Sequence, residues 1–326
     1  MAHPPLFVIG RQHSGNTMLA AMLGRAEGVV SFEGEGTFYE NLGDIRQAEG
    51  ARRGTLLFHS VRHGAGLDLP EGTWPAVRAH LEAAGERGDD LETMYLRAMD
   101  EVTRAAGGQR WVQKATSYVF SARQIWQSAP AAQFVFLLRN PLDIGASLVR
   151  RGSEGDLLRM ALGWRRGVAA AEALAAEAPA RFTLARYEDL VVDPEPELRR
   201  LCAFADVPYQ DRMLGVAHLN RAETPYNTEH EASGSGLDPS RRYYFAGVLR
   251  PSQVALVRAV AGADAVARHY PELADAAQTG VADALAAAGE AGRGVVRLAS
   301  SQVRALAVSP GKTWRRLVQR TIRSRA

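Results

Sequence analysis

The residues of this 326-residue chain best suited to chemistry gather in two short stretches. The first is Gly10-Arg11-Gln12-His13-Ser14-Gly15-Asn16-Thr17. Gly15 allows a tight turn, while the loop amides and the N-terminus of a following helix direct positive dipole at an anion. Ser14, Asn16 and Thr17 add side-chain donors. The Lys-[Ser/Thr] pair that holds β/γ-phosphates and magnesium in nucleoside-triphosphate loops is missing. Standing alone, the stretch reads equally well as an ordinary strand-to-helix turn.

The second stretch is Leu137-Leu138-Arg139-Asn140-Pro141-Leu142-Asp143-Ile144-Gly145-Ala146-Ser147. Arg139 leaves an apolar run at the carboxyl end, where open α/β sheets place their ligands. Ser147 comes two helical turns later, within reach of the same anion, and Arg150 and Arg151 follow after one more turn. Standing alone, Arg139 would read as one half of a surface ion pair.

Taken together with Tyr187-Glu188-Asp189-Leu190-Val191-Val192-Asp193-Pro194, the order of these motifs resembles that of the PAPS-dependent sulfotransferases. PAPS is 3′-phosphoadenosine 5′-phosphosulfate. The pattern is closest to the branch holding the tyrosylprotein enzymes and many bacterial relatives, and it covers roughly residues 5–270. The resemblance implies that Arg11, Gln12, His13, Ser14, Gly15, Asn16 and Thr17 form the 5′-phosphosulfate loop. It implies that Arg139 and Ser147 bind the 3′-phosphate, with Arg151 assisting. Lys114 is similar to a family lysine that contacts the transferring group, and Tyr187 either touches the nucleotide or packs beside it. The segment Ser233–Tyr244, carrying Ser235, Arg241 and Arg242, is similar in location to a late family loop that closes over the donor. Glu33 and Glu35 both fall near the family's general base, and spacing does not choose between them.

Two positions depart from the family pattern. His13 stands where Lys or Arg is usual, and Asn16 where Thr is common. An imidazole titrates near pH 6.5, so it carries a reliable charge only when phosphates raise its pKa. The implied reaction is in-line sulfuryl transfer from PAPS to an acceptor hydroxyl or amine, releasing adenosine 3′,5′-bisphosphate (PAP) without a metal. Glu33, with Glu35 as second choice, would take the acceptor proton, while Lys114 and His13 would stabilise the leaving phosphate. The alternatives are a P-loop-like nucleotide-dependent kinase or transferase, and a catalytically silent nucleotide-binding member of the family. The acceptor stays open among small molecule, carbohydrate, lipid and peptide, with no nucleic acid expected.

These residues need elements to hold them. Leu6–Gly10 reads as a buried parallel strand, Thr17–Leu23 as an amphipathic helix, and together they form a P-loop-like strand–loop–helix. Val29–Phe32, Phe134–Leu138 and Phe182–Ala185 read as further strands. Leu142–Arg151, Leu157–Glu177, Leu198–Phe204 and Pro251–Tyr270 read as helices. Alternation of the two predicts a three-layer α/β fold, a parallel sheet with helices on both faces. The predicted organisation is a sulfotransferase domain over 1–275, a mostly helical insertion at about 40–110, an Ala/Gly-rich linker over 276–294 and a basic tail over 295–326.

Bulk composition is that of an ordinary globular chain, 46% hydrophobic and 23% charged. One cysteine, Cys202, excludes an internal disulfide and suits a small buried side chain. A short N-terminal apolar run without a basic flank, and the lack of any spanning segment, predict a cytoplasmic protein. The net charge of +3 is uneven. Residues 291–326 hold nine basic side chains and no acid, leaving −6 for residues 1–290. Trp314, Leu317, Val318, Thr321 and Ile322 share one helical face in that tail. The pattern fits a helix docked on its own domain, and equally peripheral contact with an anionic membrane surface.

Overall fold

The computed structural model describes residues 3–216, 237–273 and 281–308. Its centre is a five-stranded sheet made of β1 (Leu6–Ile9), β2 (Val29–Phe32), β3 (Arg110–Lys114), β4 (Gln133–Leu138) and β5 (Phe182–Arg186). Every pairing is parallel and the spatial order is β2-β3-β1-β4-β5. The unbroken apolar runs Leu6–Ile9 and Phe134–Leu138 take two of the three interior positions, beside β3, because an interior parallel strand is covered on both faces.

Alternate side chains of these strands serve two different cores. Leu6, Val8, Val112, Val135 and Leu137 pack with Leu19, Met22 and Leu23 of helix α1 (Asn16–Leu23). Leu198, Leu201 and Cys202, from a helix over Pro194–Ala205, join the same cluster. Cys202 is buried against Met213 Sδ, and burial pushes its thiol up to about 11, which suits the structural reading. The opposite parity is aromatic. Phe7 stacks on Phe134 at 5.1 Å, meets Trp111 edge-on at 5.2 Å and touches Tyr118 at 5.6 Å. Tyr118 carries the contact to Tyr39, and Tyr95 stacks on Phe38 at 4.1 Å. Such pairs add about 0.5–1.5 kcal/mol each beyond the area they bury.

Between β2 and β3 the chain forms four helices, Phe38–Arg46, Gly50–Ala65, Thr73–Arg87 and Leu91–Ala105. The last of them starts at Asp90, whose carboxylate accepts from Thr93 N at 2.8 Å. The sheet with these helices, over 3–138, 171–216 and residue 237, makes one compact unit. The described residues 139–170, 238–273 and 281–308 make a second.

The second unit contains helix Pro141–Arg150, the first two-thirds of Leu157–Glu177, and helices Pro251–Ala261, Ala263–His269 and Val281–Val308. Asn140 caps the first through Leu142 N at 2.9 Å, with Pro141 at the first helical position. Val281–Val308 is one continuous helix, so the stretch expected to be a linker over 276–294 is helical from residue 281, and no break falls at 294/295. Alanine is the strongest helix former, and alanine dominates there. Gly294 has a packing role instead of a hinge role, because a Cβ at that position would sit 2.9 Å from Leu158. No described helix is long and apolar enough to cross a membrane.

Candidate functional site

Because all five strands are parallel, their carboxyl ends share one edge of the sheet. The loop after β1 opens there. Ser14 N donates to Arg11 O at 3.1 Å to close its turn, and Gly15, at φ 93°, caps α1. Gly15 is also where the ring of Tyr187 lies, since a Cβ would fall 2.8 Å from Tyr187 Cδ2. Tyr187 opens the short helix after β5, so its packing on the loop has a direct structural account.

Asn16 behaves differently from its expected role as an anion donor. Its Nδ2 donates to Gly10 O at 3.1 Å and Arg11 O at 3.3 Å, so the amide hydrogens hold the loop closed. An amide carries two donors and both are spent here. Ser14 stands in contrast. It is 1% exposed, and its hydroxyl has no hydrogen-bond partner among the described residues. An unmatched buried hydroxyl costs about 1–3 kcal/mol unless a ligand meets it. His13 adopts φ 68°, a conformation costly for a residue with a Cβ. Arg11 and His13 are half-buried, and Gln12 and Thr17 are exposed.

A second group sits at the ends of β2 and β3. Lys114 closes β3 in register with Val8 of β1, and its Nζ donates to Glu33 O at 2.7 Å. Glu33 N donates to Ala65 O at 2.9 Å, so the main chain of this residue is fixed on both sides while its side chain is exposed. Glu35 is tied down through its carboxylate instead. Its Oε1 accepts from Thr116 N at 2.7 Å and Thr116 Oγ1 at 2.9 Å. For Thr116 the sequence offers only a hydroxyl just past a strand end as a signal for this clamp.

The second unit holds the arginines. Arg139, the residue after β4, is 6% exposed and its Nη2 donates to Arg241 O at 3.0 Å. Its own carbonyl accepts from Trp164 Nε1 at 2.9 Å. The guanidinium carbons of Arg139, Arg150 and Arg241 lie 5.9, 5.4 and 5.7 Å from the centroid of the Tyr244 ring. Arg241 Nε also pairs with Asp238 Oδ2 at 3.2 Å and Asp143 lies beside Arg139, so three guanidinium groups share this ring with two carboxylates. Ser147 is buried on helix Pro141–Arg150, and Arg151 ends that helix half-buried. Ser235 falls outside the described residues.

Asp143 organises this group. Its Oδ2 accepts from Tyr243 N at 2.7 Å, its Oδ1 accepts from Phe245 N at 3.0 Å, and its carbonyl accepts from the Tyr244 hydroxyl at 3.0 Å. Burial pushes its carboxyl up to about 6, against the pull of Arg139 and the two amides. Tyr244 and Trp164 carried no signal in the sequence, because each acquires its role through partners more than twenty residues away. Among the described residues, no group of His, Cys, Asp and Glu is placed to hold a metal ion.

The fold is that of a three-layer α/β protein with a strand–loop–helix, β1 to α1, at the carboxyl edge of its sheet. A model described as "Sulfotransferase family" matches residues 4–211, and the chain belongs to that family. Two solved structures resemble it. The sulfotransferase domain of the Synechococcus PCC 7002 olefin synthase is 19% identical with a TM-score of 0.53, over 80% of this chain and 96% of that one. The sulfotransferase domain from the curacin biosynthetic pathway is 18% identical with a TM-score of 0.54, over 79% of this chain and 96% of that one. At such identity the likeness speaks to the fold. A search of curated proteins finds no match.

Proposed function

We propose that this sulfotransferase uses PAPS as donor and transfers its sulfuryl group to an acceptor hydroxyl or amine, with Glu33 as general base. The observation that carries the donor assignment is the buried, partnerless hydroxyl of Ser14 in the loop after β1, in a chain of this family. The arginine group of the second unit supports the adenosine 3′-phosphate end, since charge-assisted bonds from guanidinium groups are the strong ones for phosphate.

PAPS supplies an activated sulfuryl group whose departure leaves a phosphate. Ser14 and the loop amides bind the 5′ end, while Asn16 keeps the loop shut around it. Arg139, Arg241 and Ser147 bind the 3′-phosphate, and Arg151 assists. Lys114 uses one of its three donors on Glu33 O and offers the rest to the leaving oxygen. His13, held in its left-handed conformation, adds positive charge when protonated. Glu33 takes the acceptor proton, because its main chain is fixed and its carboxylate is exposed. Glu35, whose Oε1 accepts from Thr116, is the second choice. The acceptor class stays among small molecule, sugar, lipid and peptide.

Calorimetry against adenosine 3′,5′-bisphosphate with ATP as control tests the donor half, and an acceptor screen with labelled PAPS tests the transfer half. Tight bisphosphate binding and label transfer are expected. Preference for ATP would refute the donor, and bisphosphate binding without transfer to any acceptor would show a silent family member.

A further inference from the structure

The helix Val281–Val308 has two faces with different fates. One is packed into its own unit. Ala287 is buried, Gly294 lies on Leu158, and Glu290 Oε1 accepts from Arg250 Nη2 and Ser252 Oγ, both at 3.0 Å. These contacts fix the rotation of the helix about its axis, so its opposite side is turned to solvent. Residues at three- and four-residue spacing share that side. They are Leu285, Ala288, Gly292, Val295, Val296 and Ala299, all exposed and none charged. Leu285 is 70% exposed, Val295 57% and Val296 68%. A solvent face without a single charge over four turns is unusual for a surface helix, whose outer side is ordinarily polar.

Charge identifies what this face meets. Arg293 and Arg304 are exposed on one flank of the stripe, and Arg297 between them lies with its guanidinium against Gly155. Residues 291–326 contain nine basic side chains and no acid. The remainder of the chain is net negative, whereas the stretch from 291 to 308, which carries the C-terminal half of the stripe, has three arginines and no acid. An apolar stripe flanked by arginines is the pattern of helices that lie in the plane of an anionic bilayer. A second copy of this chain would instead bring two strongly basic segments together, which is repulsive.

We propose that the outward face of Val281–Val308 docks this protein peripherally on an anionic lipid surface. Leu285, Val295 and Val296 enter the headgroup boundary, and Arg293 and Arg304 meet lipid phosphates. The surface is separate from the residues proposed for sulfuryl transfer, so docking stands or falls independently of that activity.

The test is flotation of the full chain with vesicles of phosphatidylcholine alone and of phosphatidylcholine mixed with phosphatidylglycerol, at low and high salt. Wild type should float only with the mixed vesicles, about tenfold or more above neutral lipid, and salt should reduce the effect. The exposed double substitution Leu285→Glu with Val296→Glu, and separately Arg293→Glu with Arg304→Glu, should each abolish most of it with unchanged circular dichroism. Equal flotation on both lipids, or none on either, overturns the proposal. So does a Leu285→Glu/Val296→Glu variant that floats like wild type. Sedimentation showing a dimer that this variant dissociates, with no vesicle binding, would assign the face to a second copy instead.

Discussion

Asp143 holds two main-chain amides with two different oxygens, and that geometry makes it unusually easy to interrogate. Asparagine has the same shape but offers one acceptor and one donor. In Asp143→Asn one of Tyr243 N and Phe245 N therefore faces an N–H, and the segment carrying Arg241 loses one of its ties. We expect the preference for adenosine 3′,5′-bisphosphate over adenosine 5′-phosphate to fall about tenfold, since one bond to a charged group contributes ~1.5–3 kcal/mol. Calorimetry with the two nucleotides reads this directly. The pH dependence of stability runs the other way. The folded-state value of about 6 exceeds the ordinary 3.8, so the folded chain binds more protons between those values. The stability this adds is fully present below about pH 4 and is lost as pH rises through about 6, leaving the buried charge to cost roughly 3 kcal/mol at neutral pH. Wild-type Tm should drop between pH 5 and 7.5 relative to Asp143→Asn. A parallel pair of Tm profiles would contradict the assignment.

The two glutamates belong to the same scale, and substitution separates them. Glu33→Gln should lower kcat by about 10²–10⁴-fold at unchanged bisphosphate affinity if it is the base. Glu35→Gln retains an acceptor for Thr116 and should lose far less. The comparison is made with labelled PAPS once an acceptor is found, and a reversed ranking would move the base to Glu35.

At the scale of elements, legibility followed how openly each segment displayed its burial. Leu6–Ile9 and Phe134–Leu138 are apolar throughout and were readable as strands. β3 was not, because Arg110, Gln113 and Lys114 interrupt its pattern. The structure resolves the conflict by pairing them: Arg110 donates to Gln133 Oε1 at 2.6 Å and to Ala205 O, and Gln113 accepts from Tyr95 at 2.8 Å. Tertiary partners overrode local pattern there. The Ala/Gly stretch misled in the opposite direction, because glycine at 294 is demanded by contact with Leu158 and not by a need for flexibility. In the proposed site, the loop after β1 was legible since all its residues are consecutive. The Arg139–Arg241 bond spans 102 residues, and spacing has nothing to say about such a pair. Gly15 offers a test at this scale. A methyl group there meets the Tyr187 ring at 2.8 Å in a left-handed backbone, so Gly15→Ala should cost about 1–3 kcal/mol and open the loop. Thermal unfolding and bisphosphate calorimetry should both register it, whereas Tyr187→Ala should rescue the steric part in the double variant.

For the whole molecule, charge is the property that sequence alone displayed most completely. A net −6 over residues 1–290 repels a polyanionic donor at long range, so the arginines of the second unit and the loop after β1 must act locally. The nine basic residues of 291–326 reverse the net sign, which raises the question of whether they recruit the donor. The proposed donor contacts all lie at or before Arg241, and Val281–Val308 packs by its inner face on Pro251–Ala261 and Leu158. Ending the chain after residue 308 removes Lys312, Arg315, Arg316, Arg320, Arg323 and Arg325 while leaving that helix in place. Bisphosphate affinity at ~0.15 M salt should then stay within about twofold, because none of the removed residues is among the proposed donor contacts and salt screens charges that make no direct contact. At low salt the association rate should fall, since steering acts over a longer range. Stopped-flow and calorimetry on the shortened chain separate the two. A loss of affinity at physiological salt would place the tail among the residues that hold the donor, and the division of labour between a local anion site and a distant basic surface would have to be abandoned.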